Sequence, residues 1–532
     1  MILRQKLIFL LAFFISISIY AQTPELKSFQ NPIIKGFHPD PSVCRVGEDF
    51  YLVNSSFEFF PGVPIFHSKD LIHWEQIGHV LSRESQLPLA SVPASGGIYA
   101  PCIRYNKGTF YMITTNINHG GNFFVTTSDP AGQWSDPFLL DQGGIDPSLF
   151  FDEDGKVYLQ SNGGPDGIYQ SEIDIKTGKR LSEIKHLWSG TGGRYPEGPH
   201  IYKKDGWYYL MIAEGGTEYG HMETMARSKN IWGPYEACPD NPILTHRNKI
   251  NQSNPIQGTG HADLTDAPDG SWWMVCLAFR TAGGYSQFHH LGRETFLAPV
   301  EWHTGGWPVV NINGSLALDI KAKTLPFVPY ARPLNRYHFD SAELGLQWNY
   351  LRNPNLKNYS LNEKKGWLAL APSVSSLDSA ASPSFIGRRQ EDFNCEFSTI
   401  MEYEAKPGSE AGITCYMSPE SHYDLGFSAD AQGRFLYTRF RVGSVIGMQK
   451  KVYVTAGRVI LKIKASPYYY SFSASTDDGK SFTPLGKAET RYLASEVAGG
   501  FTGVYFGLYT FKSGNGKANH AYFNWVDYSP ED

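Results

Sequence analysis

Residues 40–53, DPSVCRVGEDFYLV, and four later segments built on the same plan decide the fold. Each segment opens on a polar or small residue and continues as a short apolar strand. It then turns at Asp, Asn or Gly and ends in a strand rich in aromatic residues. The four are APCIRYNKGTFYMI (100–113), DPSLFFDEDGKVYL (146–159), EGPHIYKKDGWYYLM (197–211) and HADLTDAPDGSWWMV (261–275). The alternation and the turn residues predict a β-hairpin for each segment.

The hairpins recur at an interval that is typical of propeller blades. Their aromatic anchors follow one another after 47 to 64 residues, and they are Tyr51, Tyr111, Tyr158, Tyr209 and Trp273. This interval suits one four-stranded blade with its loops, so five units predict a five-bladed β-propeller. A β-sandwich is the alternative for this region, but it does not require so regular a spacing.

The rest of the chain is divided into a leader and a second β domain. Residues 1–21 are predicted to be a secretory signal peptide, because Arg4 and Lys6 precede an apolar run that ends at the small residue Ala21. We assign residues 22–325 to the propeller. Residues 333–532 alternate as strands with Gly, Asn and Ser turns. This pattern predicts an antiparallel β-sandwich of the jelly-roll, concanavalin-like type, and makes the whole protein all-β.

The composition excludes several classes of protein. The chain has 532 residues, a formal net charge of −5 and 19% charged residues, without the basic stripe expected of a nucleic-acid-binding protein. No segment after the leader is apolar over the length of a membrane span, and no cysteine follows the leader as a lipoprotein anchor. We therefore expect export to the periplasm of a Gram-negative bacterium. The six cysteines show no CxxC spacing and are expected to be mostly buried thiols, with a disulfide allowed but not required.

The first residue of each hairpin is expected to face the central channel, since equivalent positions of propeller blades lie at the same height. These residues are Asp40, Ala100, Asp146, Glu197 and His261. The proline after Asp40 and after Asp146 is expected to hold each aspartate in extended backbone. An Asp-Pro pair alone is a common turn signal. Three acids at equivalent points of one repeat, however, gather like charges in a single cleft, which is costly unless the charges are used.

Three gathered carboxylates are sufficient for glycoside hydrolysis. Two serve as general acid and as base or nucleophile, and the third raises the pKa of the acid by repulsion. Carboxylates on different blades are expected to lie roughly 6.5–9.5 Å apart, which leaves room for a water and gives inversion; a short separation would give retention. A non-catalytic sugar-binding propeller is one alternative, although binding needs no acid of raised pKa. An endo-acting arabinanase or xylanase, with an open groove, is another.

Five motifs together resemble glycoside hydrolase family 43, in its β-xylosidase and α-L-arabinofuranosidase branch. They are GFHPDPS (36–42), GGIDPSLF (143–150), EGPHIY (197–202), GTGHADL (258–264) and LGRET (291–295). The resemblance covers nearly the whole mature chain and implies an inverting exo-hydrolase on a five-bladed propeller. It implies that Asp40 is the general base and Glu197 the general acid. Asp146 matches the aspartate that raises the pKa of the acid and orients it.

The same resemblance implies four substrate-binding residues, which are Arg293, Phe57, Tyr99 and His261. Arg293 matches an arginine that reaches the sugar, with a structural ion pair as the alternative. Phe57 matches an aromatic wall of the pocket, or is an ordinary strand aromatic. His261 matches a histidine that binds substrate or lies near calcium in some relatives. We assign no metal and no required cofactor, because hard cations prefer oxygen ligands. A second candidate calcium position is Asp340 with Asp527, which otherwise are solvated aspartates.

Three residues depart from the xylosidase pattern. Tyr99 and Cys102 stand where many xylosidases have tryptophan and histidine, and Ile145 stands where an aromatic residue is common. These departures favour release of terminal α-L-arabinofuranose from branched hemicellulose of the arabinoxylan or xyloglucan type. A β-D-xylosidase or a bifunctional enzyme is the alternative, because the two sugars present similar hydroxyl geometry. In related enzymes the C-terminal sandwich packs beside the propeller and closes one wall of the pocket.

Overall fold

The computed structural model describes residues 27–249, 255–284, 286–322, 324–331, 334–514 and 518–531. The predicted signal peptide, residues 1–21, lies outside these ranges. Within them the protein is almost entirely β-structure, in two units that follow one another along the chain. No helix in the described part of the chain has the length and apolar character needed to cross a membrane.

The first unit consists of five antiparallel sheets arranged as the blades of a propeller. Blade 1 contains Ser42–Val46, Asp49–Val53, Gly62–Ser68 and Glu75–Leu81; blade 2 contains Cys102–Asn106, Thr109–Asn116, Gly121–Thr127 and Phe138–Leu139; blade 3 contains Ser148–Phe151, Val157–Asn162, Ile168–Ile173 and Lys185–Trp188; blade 4 contains Glu197–Lys204, Trp207–Glu214, Met222–Ser228, Glu236–Ala237 and Leu244–Thr245; blade 5 contains Ile256–Asp266, Trp272–Arg280, Glu294–Trp302 and Pro308–Val310. In every blade the first two strands are the hairpin predicted from the sequence. The predicted propeller is confirmed, and the alternative of a sandwich for this region is wrong.

One buried carboxylate joins four of the blades. Asp263 in blade 5 accepts hydrogen bonds from Ser42 Oγ of blade 1 at 2.6 Å, Arg104 Nη1 of blade 2 at 2.7 Å and Tyr202 Oη of blade 4 at 2.7 Å. Burial alone would raise the pKa of Asp263, but the charge of Arg104, followed by that of His200, lowers it to about 2. The blades are therefore held together by a fully partnered charge as well as by apolar packing.

A short two-stranded sheet links the beginning and the end of the propeller. Lys27–Gln30 pairs with Asp319–Ala322 in antiparallel register. Phe29 and Ile320 from this sheet join Val43 of blade 1 and Trp273 of blade 5 in one buried apolar cluster. Burying these side chains together closes the ring between its first and last blades.

The second unit is a sandwich of two antiparallel sheets. The larger sheet contains, in order across it, Tyr359–Ser360, Leu368–Leu370, Ala521–Pro530, Cys395–Tyr403, Arg458–Ala465, Tyr469–Ser475 and Thr483–Glu489, with Arg336–His338 also paired to Ala521–Pro530; the smaller contains Ser384–Arg389, Tyr505–Lys512, Ser409–Ser418, Ser421–Asp430, Gly433–Val442 and Val445–Val454. A large apolar core lies between the sheets. The only helical turns of the described chain are the 3₁₀ turns Leu356–Asn358 and Thr490–Leu493 and the α-helical turn Ser495–Ala498.

The smaller sheet of the sandwich packs against the propeller beside the channel. Phe59–Phe60 of the propeller pairs with Tyr350–Leu351, and the ring of Phe59 stacks on Tyr505 with centroids 4.0 Å apart. Arg389 Nε donates to the carbonyl of Phe37 at 2.6 Å. Phe37 belongs to the motif at 36–42, so the sandwich packs against the end of the propeller that carries this motif.

Candidate active site

The first residues of the five hairpins converge, as predicted. Asp40, Ala100, Asp146, Glu197 and His261 all line one cavity of about 470 Å³ at the end of the channel. Asp40, Asp146 and His261 are buried, and Glu197 is half-buried. The repeat in the sequence therefore becomes a ring of functional groups around a single pocket.

The backbone at the two Asp-Pro sites is not extended, so this prediction is wrong. Asp40 and Asp146 both have φ of 52°, in the left-handed region that non-glycine residues rarely adopt. The surrounding hydrogen bonds impose this conformation. The Asn54 side chain donates to the carbonyls of the two residues before Asp40 at 3.0 and 2.9 Å, and Asn162 N donates to the carbonyl just before Asp146 at 3.0 Å. These bonds override the local preference that proline imposes on the residue before it.

Asp40 is held as an ionised carboxylate. Its Oδ1 accepts from Arg293 Nη1 at 2.6 Å, its Oδ2 accepts from Ser55 Oγ at 2.5 Å, and His261 Nδ1 lies 3.9 Å from Oδ1. Burial would raise the pKa of Asp40, but the charge of Arg293, followed by His261 and Ser55, holds it below its ordinary value. A carboxylate in this state is able to accept a proton from water.

Asp146 and Glu197 have the opposite electrostatics. One carboxyl oxygen of each and a ring nitrogen of His261 lie within 4.8 Å of one another. Burial, followed by the charges of Glu197 and Asp40, raises the pKa of Asp146 well above its usual range. Burial, followed by the charge of Asp40, raises the pKa of Glu197 to about 7. The pair therefore retains a proton near neutral pH, which is what a general acid requires.

Arg293 is both an ion-pair partner and part of the pocket wall. Its guanidinium lies 5.6 Å from the ring centre of Phe57 and 5.7 Å from that of Phe501. Nη1 also donates to Thr217 Oγ1 at 3.1 Å, and Nη2 donates to the carbonyl of Phe501 at 3.2 Å. Only 4% of the residue is exposed. These contacts hold the guanidinium at a set angle beside Asp40, in the cavity that both side chains line.

Tyr99 and Phe57 line the cavity, as predicted. Their ring centres are 5.4 Å apart, and burial, followed by the charge of Asp146, raises the pKa of the Tyr99 hydroxyl. Ile145 lines the cavity too, whereas Cys102 is buried in an apolar cluster between blades 2 and 3. Of the three departures from the xylosidase pattern, two thus bear on the pocket directly. All six cysteines are buried free thiols.

The sandwich supplies a wall that no sequence motif identified. The cavity is lined on the sandwich side by Ser495, Glu496, Gly500 and Phe501. Glu496 accepts hydrogen bonds from Tyr219 Oη at 2.7 Å and from His289 Nδ1 at 2.7 Å. Gly292, in the LGRET motif, has φ of 80°, and a Cβ there would meet Gly503 Cα at 2.9 Å. The close approach of the two backbones at these glycines brings Phe501 over Arg293.

The two predicted calcium positions offer different sets of ligand atoms. Calcium takes six to eight oxygen ligands, whereas the group at the channel consists of Asp146, Glu197 and the nitrogen of His261. In the sandwich, Arg336 donates to both carboxylate oxygens of Asp527, at 2.7 and 2.6 Å. A calcium ion at the channel would therefore take further oxygens from water, and one at Asp527 would compete with the Arg336 ion pair.

Two family models match the two units. The model for glycosyl hydrolases family 43 matches residues 29–308, and the model for the β-xylosidase C-terminal concanavalin A-like domain matches residues 336–529. The chain belongs to glycosyl hydrolase family 43. It is thus a glycosidase whose accessory domain is of the concanavalin-like type predicted from the sequence.

Named relatives of this family 43 protein act on two kinds of pentoside. A non-reducing-end α-L-arabinofuranosidase of Bacteroides ovatus is 44% identical over 94% of this chain and 95% of its own length. A xylosidase/arabinosidase of Butyrivibrio fibrisolvens is 40% identical, over 94% and 98%. The solved structure named "Bacteroides ovatus Xyloglucan PUL GH43B" has a TM-score of 0.91 at 43% identity, covering 95% of this chain and 100% of that one.

Proposed function

We propose that this family 43 protein is an inverting, exo-acting hydrolase that releases non-reducing terminal α-L-arabinofuranose from branched plant hemicellulose. The observation that carries the proposal is the division of the carboxylates into two electrostatic classes in one pocket. Asp40 has a lowered pKa and Glu197 a raised one. Glycoside hydrolysis needs such a pair, one group ionised and one protonated at the same pH.

In the proposed reaction, Asp40 accepts a proton from a water molecule whose oxygen attacks the anomeric carbon. Glu197 donates its proton to the glycosidic oxygen as the bond from that oxygen to the anomeric carbon breaks. The water proton ends on Asp40 and the acid proton on the leaving alcohol, so no covalent sugar–enzyme intermediate forms. Asp146 lies beside Glu197, shares the proton of the pair and orients the acid, and Arg293 is placed to bind sugar hydroxyls.

Exo action is supported by the shape of the pocket. Phe501 and Gly500 from the sandwich line the cavity together with the carboxylates of the blades. Because two domains enclose the pocket, it suits the end of a chain better than the middle of one. An endo-acting enzyme would need a groove open at both ends.

The preference for arabinofuranose is supported by the name of the Bacteroides ovatus relative and by Tyr99 in the pocket wall. A second candidate function is that of a β-D-xylosidase or a bifunctional enzyme. It is supported by the 40% identity to the xylosidase/arabinosidase of Butyrivibrio fibrisolvens. The proposal requires no cofactor, and the leader in residues 1–21 supports action in the periplasm.

The test is a side-by-side assay on aryl α-L-arabinofuranoside and aryl β-D-xyloside, with the anomer of the released sugar followed by proton NMR. We expect faster turnover of the arabinofuranoside and initial release of the inverted anomer. A strong preference for the xyloside would refute the proposed arabinofuranoside specificity and support a β-D-xylosidase instead. Initial release of the retained anomer would refute the assignment of Asp40 as a base.

A further inference from the structure

Beside the catalytic pocket stands one large aromatic residue whose exposure is not explained by packing. Tyr195 lines the cavity, yet 61% of it is exposed. Its φ of 55° places a bulky residue in the left-handed region, which is a strained conformation for a tyrosine. Within the described residues its hydroxyl has no hydrogen-bond partner. A residue that is neither buried nor bonded, and that is held in a costly conformation, requires another reason for its position.

The backbone around Tyr195 is held from both sides. Arg194 donates from Nε to the carbonyl of Gly215 at 3.1 Å, and its own carbonyl accepts from Gly215 N at 2.8 Å. Arg194 also forms an ion pair with Glu218, and the Asn162 side chain donates to the carbonyl of Pro196. The turn that carries the ring is therefore pre-organised before any ligand arrives.

The ring of Tyr195 has one supported side and one free side. The guanidinium of Arg194 lies 5.5 Å from the ring centre. A Cβ on Gly216 would come within 3.2 Å of the ring, so the side chain rests against the facing loop at that glycine. The rest of the ring borders the cavity, two residues along the chain from Glu197. An exposed aromatic surface at a pocket rim marks a ligand contact.

We infer that Tyr195 is the stacking platform for the sugar ring to which the terminal pentose is attached. The inference rests on the proposed function, because the position of the leaving group follows from the role of Glu197. A general acid protonates the glycosidic oxygen, so the sugar on the leaving side of that oxygen lies next to it. The ligand is therefore the sugar that leaves with the glycosidic oxygen, and Tyr195 acts on leaving-group recognition without touching the reacting atoms.

The experiment compares two substrates that share the pentose and differ in the leaving group. A pentosyl-substituted oligosaccharide places a sugar ring on Tyr195, whereas the corresponding pentosyl fluoride places nothing there. We expect Tyr195→Ala to lower kcat/KM on the oligosaccharide about ten-fold and to change it less than two-fold on the fluoride. Tyr195→Phe should keep most of the oligosaccharide activity, because it keeps the ring.

Two further variants control for misfolding and for the loss of any exposed tyrosine. Tyr195→Asn removes the ring but tolerates left-handed backbone better than alanine does, so it should reproduce the selective loss even if the alanine variant misfolds. Tyr468→Ala removes a sandwich tyrosine that is 51% exposed and is not among the residues lining the pocket, and it should change neither activity.

Equal losses on both substrates, or no loss on either, would overturn the role of Tyr195. Failure of the proposed function would appear differently, in the wild-type protein, as the absence of turnover on both the fluoride and the oligosaccharide. That result would refute the proposed function and the role of Tyr195 together.

Discussion

Two buried clusters of charge, one in the propeller and one in the sandwich, are built on opposite principles. In the channel, three carboxylates share one buried arginine, and Arg293 bonds to Asp40 alone among them. In the sandwich, acids and bases alternate: His422 lies 3.0 Å from Asp424, which also accepts from Arg439 at 2.7 Å, and Arg439 donates to Glu410 at 2.9 Å.

The pKa shifts follow from this difference. In the channel, Asp146 and Glu197 have raised pKa values because burial and like charges oppose their ionisation. In the sandwich, burial would raise the pKa of Asp424, but His422 and Arg439 outweigh burial and lower it. Buried acids without a positive partner keep a proton near neutral pH and are suited to proton transfer. Buried acids paired with positive side chains stay ionised and stabilise the fold. Four predictions test this contrast, from the largest expected effect to the smallest.

The largest effect is expected from Glu197→Gln. The amide cannot donate the acid proton, so kcat on an oligosaccharide should fall by about 10³-fold. The thermal midpoint should not fall, since a neutral amide replaces a carboxyl group whose ionisation burial and the charge of Asp40 already oppose. Glu236→Gln, at an exposed position of the same blade, is the control and should leave both values unchanged. Retention of activity in Glu197→Gln would remove this residue from the mechanism.

Asp424→Asn in the sandwich is expected to lower stability and leave activity unchanged. The change removes the negative charge that faces His422 and Arg439. Breaking a buried ion pair in this way costs about 3 kcal/mol of unfolding free energy. The rate per folded molecule should be unchanged. Asp430→Asn, on the same strand but in a solvated pair with Lys451, should cost far less. Urea unfolding measures both, and equal costs would show that the cluster does not stabilise the sandwich.

The pH dependence of stability should report on His422. Burial would lower its pKa, but Asp424 and Asp378 raise it to about 9 in the folded protein, against 6.5 for the free side chain. The stabilisation is therefore complete below pH 6.5 and is lost as the pH rises through 9, by up to about 3 kcal/mol. Urea unfolding between pH 6 and 10 should show this loss in wild type and not in His422→Gln. A wild-type curve as flat as that of the variant would contradict it.

The smallest effect is expected in the pH profile of activity. Glu197 must be protonated, so kcat/KM should decline above pH 7, where its raised pKa lies. Asp40 must be ionised, so the acidic limb should lie below the ordinary aspartate value of 3.8. Initial rates on an aryl glycoside between pH 3 and 9 measure both limbs. A profile that stays level to pH 8.5 would exclude Glu197 as the titrating acid.

Much of the site follows from the repeat. Because blades are equivalent, Asp40, Asp146 and Glu197 could be placed in one pocket from their positions at the start of the hairpins. The local rule for the residue before proline failed, since Asn54 and Asn162 impose a left-handed backbone through hydrogen bonds from elsewhere in the fold. The rule describes an isolated dipeptide, and several tertiary hydrogen bonds outweigh its preference.

The sequence by itself determined the all-β class, the five-bladed propeller and the convergence of the acids, because a repeated local pattern turns into a repeated position in space. Only the tertiary structure decided which residues of the sandwich form a wall of the pocket, since Phe501 and Glu496 meet residues more than two hundred positions earlier in the chain. It also decided which carboxylate is ionised, because Arg293 approaches Asp40 and not Glu197. Spacing along a chain predicts where equivalent residues lie, but pKa values depend on distances between residues that no repeat connects.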